Sequence, residues 1–149
     1  MQQFKGLLQE IEIAYVPTQV HRAKVVDSIS GYELLIRHYN KNTINYTEQA
    51  VALFLNRANN TVGISTISTG GMSGCVIDGK VLFLKALKCG ASAIILSHNH
   101  PSGQLKPSQS DIKLTQDLTK FGKLIDISIL DHLIIGEESY LSMKDEDFM

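Results

Sequence analysis

The run Ile94-Ile95-Leu96-Ser97-His98-Asn99-His100-Pro101-Ser102-Gly103-Gln104-Leu105-Lys106-Pro107-Ser108-Gln109-Ser110-Asp111 decides how this chain folds. Its apolar opening reads as a buried strand. His98 and His100, two positions apart on an extended segment, fall on the same side, because strand side chains alternate with period two. Both imidazoles can then reach one ion. Pro101 cannot continue a central strand, Gly103 permits a turn, and Pro107 followed by Ser108 signals a helix start. The loop thus brings the chain back toward the strand end, where Asp111 in the first helical turn can complete the set. Two nitrogens and one carboxylate leave a fourth position for water, the open coordination of a catalytic zinc rather than the closed, cysteine-rich structural kind. Ser108 also reads as an ordinary N-cap and Asp111 as an ordinary first-turn carboxylate favoured by the helix dipole. Those roles are compatible with ligation and leave the two histidines unexplained.

At these residues, His98-Asn99-His100-Pro101-Ser102-Gly103 and then Pro107-Ser108-x-x-Asp111, the sequence resembles the His-x-His-Pro and Ser-x-x-Asp signature of the JAMM (JAB/MPN) metalloprotease superfamily, in the form carried by bacterial RadC proteins. The likeness continues through Leu55-Asn56-Arg57-Ala58-Asn59, Ser68-Thr69-Gly70-Gly71, Ala93-Ile94-Ile95-Leu96 and Leu130-Asp131-His132-Leu133-Ile134, covering roughly residues 25 to 145. It implies a domain over 25–149 after an N-terminal extension over 1–24, with Zn²⁺ on His98, His100 and Asp111. It also implies a catalytic role for Glu48, at the start of an apolar strand, and for Ser108. Gln49 is the neighbouring alternative to Glu48, but an amide cannot accept the proton.

The 149 residues fit one domain with a sizeable core, and 44% hydrophobic with 19% charged residues is ordinary for a globular protein. No apolar run approaches the roughly 20 residues needed to span a bilayer, and Met1-Gln2-Gln3-Phe4-Lys5 does not begin a signal peptide, so a cytoplasmic protein without membrane attachment is expected. Cys75 and Cys89 form neither a C-x-x-C motif nor a disulfide framework and are expected to be reduced. The net charge of -1 leaves no global footprint for nucleic acid. Asp78 to Lys123 carries a net of +4 and Leu124 to Met149 a net of -6. The basic flank suits an anionic partner or, more simply, a solvated surface.

In chain order, Gln9 to Val16 alternates as a strand that Pro17 ends. Ser30-Gly31-Tyr32-Glu33 resembles a capping box before a short helix carrying Leu34, Leu35 and Tyr39, closed by Asn40-Lys41-Asn42. Thr47 to Leu55 and Thr61 to Ser68 read as a hairpin about the Asn59-Asn60 turn. Gly70 to Gly74 reads as a flexible connection near the site. Asp78 caps a helix whose Val81, Leu82, Leu84, Ala86 and Leu87 imply burial against a sheet, with Gly90 as the stop. A second helix after Ser108 presents Ile112, Leu114, Leu118 and Phe121 and stops at Gly122. Leu124 to Leu130, Leu133 to Ile135 and Tyr140 to Met143 read as closing strands, and Asp145-Glu146-Asp147 as a solvated tail. His132 is expected to be a structural histidine rather than a ligand, and His21 and His38 match no motif.

Alternating strands and helices give an α/β domain with a mixed sheet, and the resemblance implies the three-layer α/β/α, cytidine-deaminase-like arrangement. The expected function is zinc-dependent hydrolysis of a peptide or isopeptide bond in a peptide or protein substrate. Two alternatives are a DNA-repair-associated role through DNA or a repair partner, and a non-catalytic MPN-type binding module. The helix-hairpin-helix region of longer RadC proteins does not fit in this length, which weakens the DNA alternative; the retained ligands weaken the second. A zinc deaminase would need His-x-Glu with Pro-Cys-x-x-Cys, and a metallo-β-lactamase site an Asp-His extension. Both are missing.

Overall fold

A computed structural model of the chain describes residues 11, 12, 14–16 and 21–149. The elements are α1 (Ser28–Ile36), β1 (Gln49–Leu55), β2 (Thr61–Thr69), α2 (Gly79–Lys88), β3 (Ala93–Asn99), α3 (Gln109–Leu124), β4 (Ser128–Ile135) and β5 (Tyr140–Ser142). They build a five-stranded mixed sheet in the order β2-β1-β3-β4-β5. β1 is antiparallel to both β2 and β3, β3 and β4 are parallel through the α3 crossover, and β5 returns antiparallel.

Period-two alternation divides the core between the two faces. Ala50, Ala52 and Phe54 of β1 join Ile94 and Leu96 of β3 under α2 and α3, against Leu82, Phe83, Ala86 and Leu118. Val51, Leu53 and Leu55 join Ala93, Ile95 and Leu133 under α1, against Leu35, Tyr39 and Ile44. Helices on both faces make the α/β/α sandwich expected from the sequence. They also explain why β3 is buried along its whole length and reads as an uninterrupted apolar run up to Ser97.

Local chemistry moves several boundaries. α1 starts at Ser28 because Asp27 is its N-cap, accepting from the Ser30 N–H at 2.8 Å while the Ser30 hydroxyl bonds the Asp27 N–H. Ser30 is therefore the third helical residue rather than the start of the box. Asp78 caps α2 as expected, and Gly90, at φ 67°, follows its end. The first hairpin strand begins at Gln49, so Glu48 lies just outside it. Gly122 does not stop α3. It sits inside the last turn, where a Cβ would meet the Ile127 carbonyl oxygen at 2.2 Å.

The first two of the expected closing strands are one, β4, and Leu124 instead ends α3. The polar pair Asp131-His132 that seemed to split it is buried and satisfied: Asp131 accepts from the His132 N–H, the Lys144 N–H and the Ser142 hydroxyl. Leu84, Leu87 and Phe121 are exposed rather than core. With Phe83, Leu118 and Ile125 they line an apolar groove of about 590 Å³ between α2 and α3. Ile11, Glu12, Ala14, Tyr15 and Val16 lie in no strand, and the remainder of the expected first strand falls outside the described residues. The acidic end is exposed, as expected, yet structured in turns: Phe148 N–H donates to Met143 O at 2.8 Å and Asp145 accepts from the Ser28 hydroxyl. Cys75 and Cys89 are both free and partly buried. Among the described residues, no helix is long and apolar enough to cross a membrane.

Candidate metal centre

Three elements converge at the carboxyl end of β3. His98, 1% exposed, is held between Ala50 of β1 and Ile134 of β4. His100 follows the strand, where its carbonyl accepts from the Gly103 N–H at 2.9 Å and Gly103 takes φ 76°, closing the Pro-Ser turn. Asp111 is the third residue of α3, and Ser108 is the N-cap. The Nε2 atoms of His98 and His100 lie 2.8 Å apart, and carboxylate oxygens of Asp111 lie 3.4 and 3.7 Å from them. The structure thus brings together the three ligands expected from the sequence, in an arrangement able to hold a metal ion.

Counting protons through the buried network fixes the tautomers. The Thr115 hydroxyl donates to the Asp111 carbonyl at 2.7 Å, so its oxygen must accept from His132 Nδ1–H at 2.6 Å. His132 Nε2 then carries a lone pair and accepts from His98 Nδ1–H at 2.8 Å. His100 donates Nδ1–H to the Gln104 carbonyl at 2.6 Å. His98 and His100 consequently turn an Nε2 lone pair toward the same point. Two lone pairs at 2.8 Å repel unless a cation or a proton lies between them.

His132 is therefore more than the strand histidine expected from the sequence: it orients His98 from behind. Its full burial, with the neighbouring His98, holds its pKa well below the ordinary value and keeps it neutral. Thr115 completes the chain and gave no sequence signal beyond its position four residues after Asp111. Burial pushes the Asp111 carboxyl up, but His100 and His98, when an Nε2 carries a proton, and the Ser108 hydroxyl together outweigh it and hold the group far below the carboxylate range. In return, the hydrogen bond that a protonated His100 makes to Asp111 raises its pKa against the opposing effect of burial.

Ser108 accepts from the Asp111 N–H at 3.1 Å, and its hydroxyl donates to Asp111 Oδ2 at 2.7 Å. In this state its proton holds the carboxylate. Glu48 lines a polar cavity of about 490 Å³ with Ser108, His100, Asp111 and the Met72–Cys75 loop. The Gly70–Gly74 connection thus borders the site, as its glycines suggested. Gly70 is needed for contact rather than for its φ, since a Cβ there would come within 2.6 Å of the Cys75 Cα. Burial is the main reason that the Cys75 thiol is pushed up to about 11. The apolar α2–α3 groove shares no lining residue with this cavity.

The family model of the RadC-like JAB domain matches residues 26–148. This chain belongs to the RadC-like JAB domain family. A UPF0758 protein of Flavobacterium johnsoniae is 43% identical over 99 residues, covering 66% of this chain and 43% of the relative. One of Methanococcoides burtonii is 39% identical over 102 residues, 68% of this chain and 44% of the relative. One of Syntrophomonas wolfei is 40% identical over 109 residues, 73% and 44% of the two chains. Each of these matches covers less than half of the relative's own length.

Proposed function

We propose that this RadC-like domain is a zinc-dependent hydrolase of peptide or isopeptide bonds. The observation that carries the reading is the meeting of the His98, His100 and Asp111 donors beside a cavity that Glu48 and Ser108 also line. The donor set suits the ion. Zinc bonds of about 2.0–2.1 Å in a tetrahedron separate their ligand atoms by about 3.3 Å, and the distances here are 2.8, 3.4 and 3.7 Å. Both imidazoles are in the tautomer that ligation requires. A bound zinc ion supplies Lewis acidity and makes water a competent nucleophile near neutral pH.

The protein's own residues supply the rest. Glu48, partly exposed at the cavity wall, accepts the proton of the attacking water and returns it to the leaving amine, which departs neutral. Its position outside the β1 ladder leaves the carboxylate in the cavity rather than in the core. Ser108 holds Asp111 in the resting state, and rotation of one side-chain torsion turns its hydroxyl toward the cavity. There it donates to the carbonyl oxygen of the scissile bond as charge develops, a contribution of about 3 to 4 kcal/mol.

Metal content of protein purified without added metal or a histidine tag tests the reading. Near-stoichiometric zinc in wild type, lost in His100→Ala and Asp111→Ala, is expected, together with cleavage of a peptide library that Glu48→Gln slows strongly but measurably. Metal-loaded wild type that cleaves no peptide, with Glu48→Gln indistinguishable from it, overturns the catalytic reading in favour of a binding module.

A further inference from the structure

Asn99 stands between the two metal-site histidines, and the alternation of β3 sends its side chain to the opposite face of the sheet from His98. There its amide is 1% exposed and fully used. Nδ2 donates to the carbonyls of Ile44, at 2.6 Å, and Thr47, at 2.9 Å, while Oδ1 accepts from the Gln49 N–H at 2.7 Å. The Thr47 carbonyl belongs to the peptide unit before Glu48, and the Gln49 N–H to the unit after it. One side chain therefore fixes both peptide planes that flank Glu48. The remaining backbone groups of Glu48 are tied to the β2 extension, its N–H to Gly71 O at 3.0 Å and its carbonyl to Gly70 N–H at 2.8 Å.

These bonds differ in what they reference. The glycine pair ties Glu48 to a loop, whereas Asn99 ties it to the strand that carries His98 and leads into His100. We propose that Asn99 is a positioning residue, coupling the backbone of Glu48 to the two metal-site histidines so that the carboxylate is held in register with the ion. This inference rests on the hydrolase reading.

The chemistry requires asparagine in particular. The task needs two donors and one acceptor on a single short group, which is the inventory of its amide. An aspartate would set a carboxylate against two carbonyl oxygens, and an apolar isostere would take the side-chain partner from three buried or partly buried backbone groups. Ile44, itself buried, still anchors the segment when Asn99 is shortened.

The test uses the metal-loaded full chain carrying Asn99→Ala, with Asn99→Ser as a second variant, beside wild type, Glu48→Gln and the Glu48→Gln/Asn99→Ala double variant. Zinc stoichiometry, amide hydrogen exchange at Gln49, and kcat and KM on a cleaved peptide are measured. The expected result is unchanged zinc, faster Gln49 exchange, and kcat reduced about 100-fold with little change in KM. Asn99→Ala should then add nothing to the loss already caused by Glu48→Gln. Unchanged Gln49 exchange in both variants overturns the proposal, and so does an equal loss on the Glu48→Gln background, which places the effect elsewhere. Unfolding of both variants also overturns it, since Asn99 would then serve the whole domain. Should loaded wild type cleave nothing, the hydrolase reading falls alone: faster Gln49 exchange with zinc retained upholds the coupling, and unchanged exchange overturns it.

Discussion

The Nδ1–H of His98 ends on an acceptor that is itself a histidine, and that choice has a measurable consequence. Replacing His132 by leucine removes the only acceptor that His98 Nδ1–H has among the described residues, and with it the bond that fixes the His98 tautomer. Zinc affinity is expected to fall about 10- to 100-fold while His100 and Asp111 remain in place, as read by competition with a chromogenic chelator. A second consequence is a pH dependence. Asp111 raises the His100 pKa above its ordinary 6.5, so a proton competes with the metal over more of the neutral range. Zinc affinity should therefore climb as pH rises through that range and weaken on acidification, in the same titration repeated across pH. The sign is opposite for the metal-free fold: the protonated His100 stabilises it at low pH, and that contribution is lost as pH rises through the raised value.

Among the elements, α3 shows how tertiary contact overrides local signals. Gly122 reads as a helix stop, yet the helix passes through it because the chain must turn at Asp126, φ 57°, and lay Ile127 against that turn. Ala at 122 would gain about 1 kcal/mol of helix propensity. The added Cβ would sit 2.2 Å from the Ile127 carbonyl oxygen, so a net loss of about 1 to 3 kcal/mol is expected from urea unfolding of Gly122→Ala. The two helix starts that were legible, Asp78 and Ser108, depend on bonds within three residues. The one displaced, at Asp27, differs only in that Asp27 and Ser30 exchange the box roles that Ser30 and Glu33 suggested. β4 was hidden for a longer-range reason: its polar centre is satisfied by Thr115, His98 and Ser142, partners that no local pattern names.

For the whole molecule, the sheet separates two cores, and apolar residues of α2 divide between core and groove. Leu82 is fully buried and Leu87 is 60% exposed, although both belong to the same apolar stretch of sequence. Leu82→Ala should cost about 2 to 5 kcal/mol. Leu87→Ala should cost under about 1 kcal/mol, a contrast that denaturant midpoints of the two variants would reveal. The apolar breadth of α2 was readable, but α3 packs alongside it and leaves a groove rather than a closed seam, which assigns each leucine its side.

By itself the sequence determined the α/β alternation, the hairpin, and the set of His98, His100 and Asp111. Those follow from side-chain periodicity, turn chemistry and the narrow donor preferences of a metal site, all expressed over a few neighbouring residues. Glu48 and Ser108 were expected as partners of that set only through the family resemblance. Tertiary structure alone decided that His132 and Thr115 orient His98 and that Asn99 grips the chain on both sides of Glu48. These assignments depend on hydrogen bonds between residues as much as 55 positions apart. Such contacts exist only once the sheet sets β1, β3 and β4 side by side, and a buried polar atom must take whichever partner the packing provides.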